Sequence, residues 1–136
     1  MLSKYKVMIK EDYLLRIIQE LGRKIAELVE KRTQGHVDEG IVLARAIFRE
    51  HLGVETEYGD IQIDEEMLKQ WSAQQTDLMA DAAYETALLY WQAGEKTEAE
   101  NFKKIASYLY RRAELKDQTY SWQREDKQMN INNIIK

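Results

Sequence analysis

The chain contains neither cysteine nor proline, and it has only two histidines and six glycines among its 136 residues. Without cysteine there is no disulfide, no thiolate zinc site and no cysteine nucleophile. The lack of proline, the few glycines and the rarity of β-branched clusters accompany 44% hydrophobic and 32% charged residues. This combination is typical of an all-helical soluble protein.

Long apolar runs are also missing. No stretch approaches the roughly 18 residues that a membrane span requires. The N-terminal residues lack the apolar run and small-residue cleavage site of a secretory signal. These absences predict a cytoplasmic protein, and a mass of 16.1 kDa predicts a single domain with a core of its own.

Acidic and basic residues are segregated along the chain, whose formal net charge is −4. Residues 1–32 carry eight Lys/Arg against five Asp/Glu, residues 33–102 four against fifteen, and residues 103–136 eight against four. An acidic middle and a pI near 5.3 argue against nucleic-acid binding, which needs a coherent basic face. We expect the basic ends to lie against the acidic middle, within one fold or across a dimer. The alternative is an acidic surface that steers partners.

Apolar periodicity predicts a helical hairpin over residues 9–52. Gly35 stands between its two helices and suits a left-handed cap. The following residues 53–63 have no helical period and are predicted to form a loop. A short helix over 64–71 comes next, with Asp64 as its N-terminal cap.

A second predicted hairpin covers residues 73–117. Ser72 fits a capping box at its start, and residues 97–100 fit another at the start of its second helix. Residues 118–136 lose the clean period but remain too apolar for a solvated tail. We expect this tail to pack on the body of the chain or on a dimer mate, the alternative being that it docks on something else.

The second hairpin carries small and aromatic residues at fixed offsets, namely Ala87, Tyr90, Gly94, Ala99 and Ala106. Small residues let two helices approach closely, Tyr90 fills the space beside them, and Gly94 permits the turn. This order and spacing resemble the tetratricopeptide repeat, which implies stacked helical hairpins that build a binding surface. Two departures are Lys103, where a large aromatic is usual, and the missing proline after the unit.

A weaker form of the same spacing occurs earlier in the chain, where Gly35 and Gly40 are five residues apart, as are Gly94 and Ala99. Two such units fall short of the roughly three repeats of a stable solenoid, which suggests dimerisation or a capping tail. The run over residues 9–23 also resembles the opening of a family of small, all-helical, tetratricopeptide-like bacterial proteins with no assigned function. That resemblance covers most of the chain, implies a Gram-positive bacterial origin and brings no catalytic residues.

Several residue types that often carry chemistry are predicted to have structural roles. His36 and His51 lack metal-spaced partners and are expected at helix caps or on the surface, where a protonated imidazole favours a helix end. The acidic group at 60–66 lacks the order of an EF-hand and is expected to cap a helix. Asp77 and Asp81 share a helix face, but nothing in the sequence supplies the cleft that acid–base catalysis needs, so we expect solvated surface.

Aromatic residues are dense between positions 84 and 122, where they are Tyr84, Tyr90, Trp91, Tyr108, Tyr110, Tyr120 and Trp122. Adjacent Tyr90 and Trp91 cannot both point inward from one helix. Exposed tryptophan and tyrosine are typical anchors of protein interfaces. Core packing or cover by the tail is the alternative role for these rings.

The sequence as a whole predicts an all-α fold, a tetratricopeptide-like array of four to five helices in antiparallel hairpins. The predicted function is that of a non-enzymatic interaction or adaptor protein, a homodimer that binds a peptide or helix through an aromatic-lined groove. Tyr84, Trp91 and Tyr108 are the predicted partner-binding residues. The alternative is a small-ligand or regulatory domain with a pocket between helices. No cofactor, metal, nucleic acid or membrane partner is predicted.

Overall fold

Six α-helices contain most of the residues that the computed structural model describes, which are 2–53 and 63–136 for the backbone and 11–53 and 63–136 for the side chains. The helices are α1 Leu2–Thr33, α2 Val37–Leu52, α3 Glu65–Gln70, α4 Ala73–Gln92, α5 Lys96–Asp117 and α6 Trp122–Ile134. The predicted all-α class is confirmed. The helix count exceeds the four to five expected because the tail contains α6.

Side-chain caps explain where two of the helices begin. The Asp64 carboxylate accepts from the backbone N–H of Glu66 at α3, and the Ser72 hydroxyl accepts from that of Gln75 at α4. The capping box predicted over 97–100 is wrong, because residue 97 already lies within the first turn of α5. Most of the predicted loop over 53–63, with Asp60, lies outside the described residues.

Helix α4 is the centre of the fold, since it contacts α1, α2, α5 and α6. It is buried along most of its length and on nearly all sides, which exceeds the single apolar face that periodicity predicts. Two of its buried polar residues have clear partners. The Thr86 hydroxyl donates to the Ala82 carbonyl at 2.6 Å, and the Glu85 carboxylate accepts from Arg32 of α1.

The α4–α5 hairpin packs through its small residues. Ala87, Ala99 and Ala106 are buried between the two helices. The Tyr90 ring stacks on Phe102 with centroids 5.6 Å apart, and Phe102 in turn meets Phe48 of α2 edge-on at 5.1 Å. The result is a close-packed, apolar pair of helices, and α6 contacts both of them.

Helix α2 approaches α4 closely at Gly40. A Cβ atom added there would lie 2.7 Å from Leu89 Cδ2, which is too close for any other residue without movement of the leucine. Gly40 therefore leaves room for the Leu89 side chain between α2 and α4.

The basic ends of the chain do lie against its acidic middle. From the basic N-terminal segment, Arg32 forms an ion pair with Glu85, and Lys31 Nζ lies 2.9 Å from Glu39 Oε2. The expected arrangement is thus present within one fold, and α6 supplies the C-terminal counterpart. No described helix is long and apolar enough to cross a membrane.

Candidate functional site

A groove runs along α4 and α5, and α6 lies in it. Asp77, Asp81, Tyr84 and Leu88 follow one another at intervals of three or four residues on α4, so they share a face. Tyr110 of α5 stands beside them and donates from its hydroxyl to Asp81 Oδ1. Carboxylates therefore occupy one end of the groove, and aromatic and aliphatic side chains occupy the rest.

Arg124 of α6 enters the acidic end and is only 5% exposed. Its Nε and Nη2 atoms donate to the two carboxylate oxygens of Asp77, each at 2.7 Å. The same guanidinium donates to Asp117, at the end of α5, and to the Thr119 carbonyl. Such a two-pronged contact fixes both the position and the orientation of the arginine.

The charges at this end shift two pKa values. Hydrogen bonds to Asp77, and then to Asp117, raise the pKa of Arg124 above its ordinary value. The hydrogen bond from Arg124 lowers the pKa of Asp117 to about 2. Both groups are therefore fully charged at neutral pH, which is the state that holds α6.

One turn further along α6, Lys127 Nζ lies 2.6 Å from Asp81 Oδ1 and 5.9 Å from the centre of the Tyr84 ring. Asn130 Nδ2 donates to the Tyr84 hydroxyl at 2.7 Å. Burial, and next the charge of Asp81, raise the pKa of Tyr110 above its ordinary value, so its phenol keeps the proton it donates. Asp81 is thus contacted by one cation, Lys127, and by one neutral hydrogen-bond donor, Tyr110.

The far end of α6 is held by aliphatic contacts. Ile131 and Ile135 are fully buried, and Lys103 of α5 donates to the Ile135 carbonyl at 2.8 Å, which ties down the helix end. The inward residues of α6 are therefore Arg124, Lys127 and Ile131, spaced as one face of a helix, and the buried Ile135 follows directly after the helix end. Two cations and two isoleucines therefore hold α6 in the α4–α5 groove.

The groove is not completely filled by α6. A cleft of about 300 Å³ remains at its acidic end, lined by Asp77, Asp81, Tyr110, Ser121, Gln123, Arg124 and Lys127. Immediately outside it, on the α5–α6 connection, the rings of Tyr120 and Trp122 meet edge-on at 6.1 Å. They are 62% and 75% exposed. Exposed tyrosine and tryptophan are typical anchors of protein interfaces.

The three predicted partner-binding residues do not share one surface. Tyr84 is buried in the groove beneath α6, Trp91 is half-buried against the core, and Tyr108 lines a separate shallow cleft of about 320 Å³. That cleft also contains Ile63 and Lys104 but not Trp91. Of the three residues, the structure therefore brings Tyr84 to the groove.

The interpretation of Asp77 and Asp81 as solvated surface is wrong, because α6 supplies their cations. Nothing local in the sequence marks them. The signal that bears on them is the excess of basic residues after position 103, set against the acidic middle of the chain. That signal predicts attraction between the two segments but does not identify the pairs.

A second cleft, of about 470 Å³, lies between α2 and the α4–α5 turn, lined by Asp38, Ile41, Val42, Arg45, Tyr90, Ala93, Glu95 and Glu98. Tyr90 is 3% exposed, and its hydroxyl has no hydrogen-bond partner among the residues that the structure describes. A buried polar atom of this kind is costly unless something satisfies it.

The two histidines lie apart. His36 is exposed at the start of α2, where its side chain makes no capping hydrogen bond. His51, near the end of α2, is half-buried, and desolvation lowers its pKa. Within the described residues, no group of His, Asp and Glu side chains could hold a metal ion.

Comparison with protein-family models, with curated proteins and with solved structures found no match to this chain. Its function is therefore inferred from the geometry of the groove and the clefts.

Proposed function

We propose that the chain is a non-enzymatic protein-interaction module whose α4–α5 groove binds an amphipathic helix with a basic end. The observation that carries the proposal is the two-pronged contact between the nearly buried Arg124 and Asp77. A helix is held here by specific charge recognition in addition to apolar contact. Helix-in-groove recognition of this type uses anchors at helical spacing.

The inward face of α6 defines the kind of helix that fits. It has an arginine, a lysine three residues later and isoleucines seven and eleven residues after the arginine. Asp77 and Asp81 select the two cations, while Tyr84 and Leu88 offer apolar surface to the aliphatic anchors. We therefore take a partner to be a helix of the same pattern, which would compete with α6 for the groove.

The tetratricopeptide-like arrangement belongs to the same proposal. The α1–α2 and α4–α5 hairpins are separated in the chain by α3, but α4 contacts both helices of the first hairpin. Helix α6 contacts both α4 and α5 in the same manner. These contacts support a stack of hairpins in which α6 covers the last pair as a cap, as terminal elements of repeat proteins do.

The test uses a fluorescent peptide of residues 119–136 and the full-length chain. In the wild-type protein the groove is occupied, so the peptide should bind weakly. A chain carrying Ile131→Ser and Ile135→Ser loses the two aliphatic anchors of α6, and the peptide should bind it at least about tenfold more tightly. Fluorescence anisotropy measures both affinities.

Two controls decide whether the groove is responsible. A peptide with Arg124→Gln and Lys127→Gln should bind poorly, as should a loosened chain that also carries Asp77→Asn and Asp81→Asn. Circular dichroism verifies that each chain remains folded. Equal binding of the natural and substituted peptides by a folded chain would contradict the proposal.

A second candidate function, a small-ligand pocket, is supported by the Tyr90 cleft. Asp38, Glu95 and Glu98 line it together with Arg45, so a small organic cation that also donates to the Tyr90 hydroxyl oxygen would suit it. Diamines and polyamines should raise the melting temperature of the wild-type chain more than that of Tyr90→Phe. No shift, or an equal shift in both, would dismiss this candidate.

A further inference from the structure

The connection between α5 and α6 is built differently from the other turns. Gln118 ends α5 in the left-handed region, with φ 53° and ψ 31°. It is the single non-glycine residue with positive φ in the described part of the chain, whereas Gly35, Gly53 and Gly94 take that conformation elsewhere. A side chain in the left-handed region crowds the backbone, so this turn is strained.

The connection also lacks the two residue types that break helices most strongly. The sequence has no glycine after Gly94 and no proline anywhere. Residues 118–121, with the sequence Q-T-Y-S, could therefore continue α5 directly into α6. The product would be one helix over 96–134, about 58 Å long at 1.5 Å per residue.

Straightening the connection would remove α6 from its own groove. In the closed form α6 runs antiparallel to α5, because Arg124 contacts Asp117 near the end of α5 while the Ile135 carbonyl contacts Lys103 near its start. In the straight form α6 would extend beyond the end of α5. Its two cations and two isoleucines would then be available to the groove of another molecule.

Exposed apolar residues mark the same segment. Leu115, Trp122 and Met129 are 72%, 75% and 59% exposed, and they are seven residues apart. In the closed form they belong to two helices that run in opposite directions. In a continuous helix, a seven-residue repeat forms one stripe of the kind through which two helices pack.

We infer that α6 is exchanged between two copies of this chain, each inserting its α6 into the α4–α5 groove of the other. The contacts of α6 with α4 and α5 are kept in the exchanged dimer, whereas its hydrogen bonds with Thr119 and Ser121 of the connection are given up. In return, the strain at Gln118 is released, and the stripe of Leu115, Trp122 and Met129 can pack on its symmetry mate. Short, strained connections favour such exchange. The inference rests on the proposed function in one respect, namely that the groove accepts a helix from another molecule.

The first test compares Gln118→Gly with its matched control Gln118→Ala by size-exclusion chromatography with light scattering, over a range of protein concentrations. Glycine relieves the closed turn and disfavours the straight helix, so the dimer should become at least about tenfold weaker than in the wild type. Alanine keeps the strain and favours the helix, so its dimer should be at least as strong as that of the wild type.

Two outcomes of this test would overturn the inference. One is a wild type and a Gln118→Ala variant that stay monomeric at every concentration. The other is a dimer of equal strength in the glycine and alanine variants, which indicates side-by-side association without exchange. Neither outcome bears on binding of the 119–136 peptide, so a failure of exchange is distinguishable from a failure of the groove.

A charge-reversal experiment adds a readout that only exchange can produce. Asp77→Arg and Arg124→Asp each place like charges together in the closed form. In a mixed exchanged dimer, one groove has the natural pair and the other has the reversed pair. After the two chains are unfolded and refolded together, the mixture should form a heterodimer that melts above either chain alone. A mixture that melts as the sum of its components would contradict exchange, and the Gln118 variants decide the question if either chain fails to fold alone.

Discussion

The two interfaces of α5 are built on opposite principles. Toward α4, α5 presents alanines and Phe102, and the turn between the two helices is the glycine that the geometry demands. Toward α6, the contact depends on Arg124, Lys127 and two isoleucines, and the turn is a strained glutamine. The first interface is close-packed and mainly apolar, with the Tyr110–Asp81 hydrogen bond at its edge, so it should respond less to salt and pH than the second. The second is ionic and strained, so it should be separable from the first.

The largest effect is expected from a substitution in the apolar interface of α5 with α4. Phe102→Ala removes the ring between Tyr90 and Phe48 and leaves a cavity, which should cost about 3–5 kcal/mol of the free energy of unfolding. Urea denaturation measures the loss. Arg111→Ala, on the exposed side of α5, serves as the control and should change stability by less than about 0.5 kcal/mol. Similar losses for the two variants would mean that α4 and α5 are not packed as described.

A smaller, local effect is expected from Arg124→Met, which leaves Asp77 and Asp117 without their shared cation. Because both carboxylates are partly exposed, the loss should be about 1–3 kcal/mol, below that of a fully buried pair. Hydrogen exchange should show faster exchange in α6 while α4 and α5 stay protected. Arg111→Met, on an exposed part of α5, is the matched control. Uniform loss of protection along the chain would show that α6 is not a separate unit.

The two turns should respond to substitution with opposite signs. Gly94 has φ 80°, so Gly94→Ala should destabilise the chain by about 1–2 kcal/mol. Gln118→Gly should instead stabilise the closed form by less than about 1 kcal/mol, because relief of strain is partly offset by the flexibility of glycine when unfolded. Urea denaturation at a concentration where the protein is monomeric tests both. If both substitutions changed the free energy of unfolding in the same direction, the claim that the two turns differ in strain would be contradicted.

The smallest effect concerns pH. The pKa of Asp117 is lowered from 3.8 to about 2 in the folded chain, so its contribution to stability is present above about pH 4 and is lost as the pH falls toward 2. The methyl NMR signals of Ile131 and Ile135 should therefore report partial release of α6 in that interval. Asp117→Asn should weaken this pH dependence, and an unchanged titration in that variant would rule out Asp117 as a contributor.

The sequence predicted well those features that depend on local spacing. The helical class, the left-handed Gly35 and the caps at Asp64 and Ser72 follow from short-range chemistry. The burial of Tyr90 and the partial exposure of the adjacent Trp91 follow from the same chemistry. Each of these depends on residues within about one helical turn.

The features that were missed depend on long-range pairing. Helix α6 has a weak apolar period because half of its inward face is Arg124 and Lys127, which look like solvated residues until Asp77 and Asp81 are placed opposite them. The pairs are separated by 47 and 46 residues along the chain. Charge segregation indicated that the segments attract but did not give the register. The depth of Tyr84 depends on the same helix and was missed for the same reason.

The most direct measurement is hydrogen exchange of the wild-type chain at low and high salt. If α6 is a helix held in the α4–α5 groove by charges, its amides should exchange faster at about 1 M salt, where screening acts within roughly 3 Å. The amides of α4 and α5 should be unaffected. Equal protection of α6 at both salt concentrations, or a parallel change in α5, would contradict the existence of a charge-held helix in a separable groove.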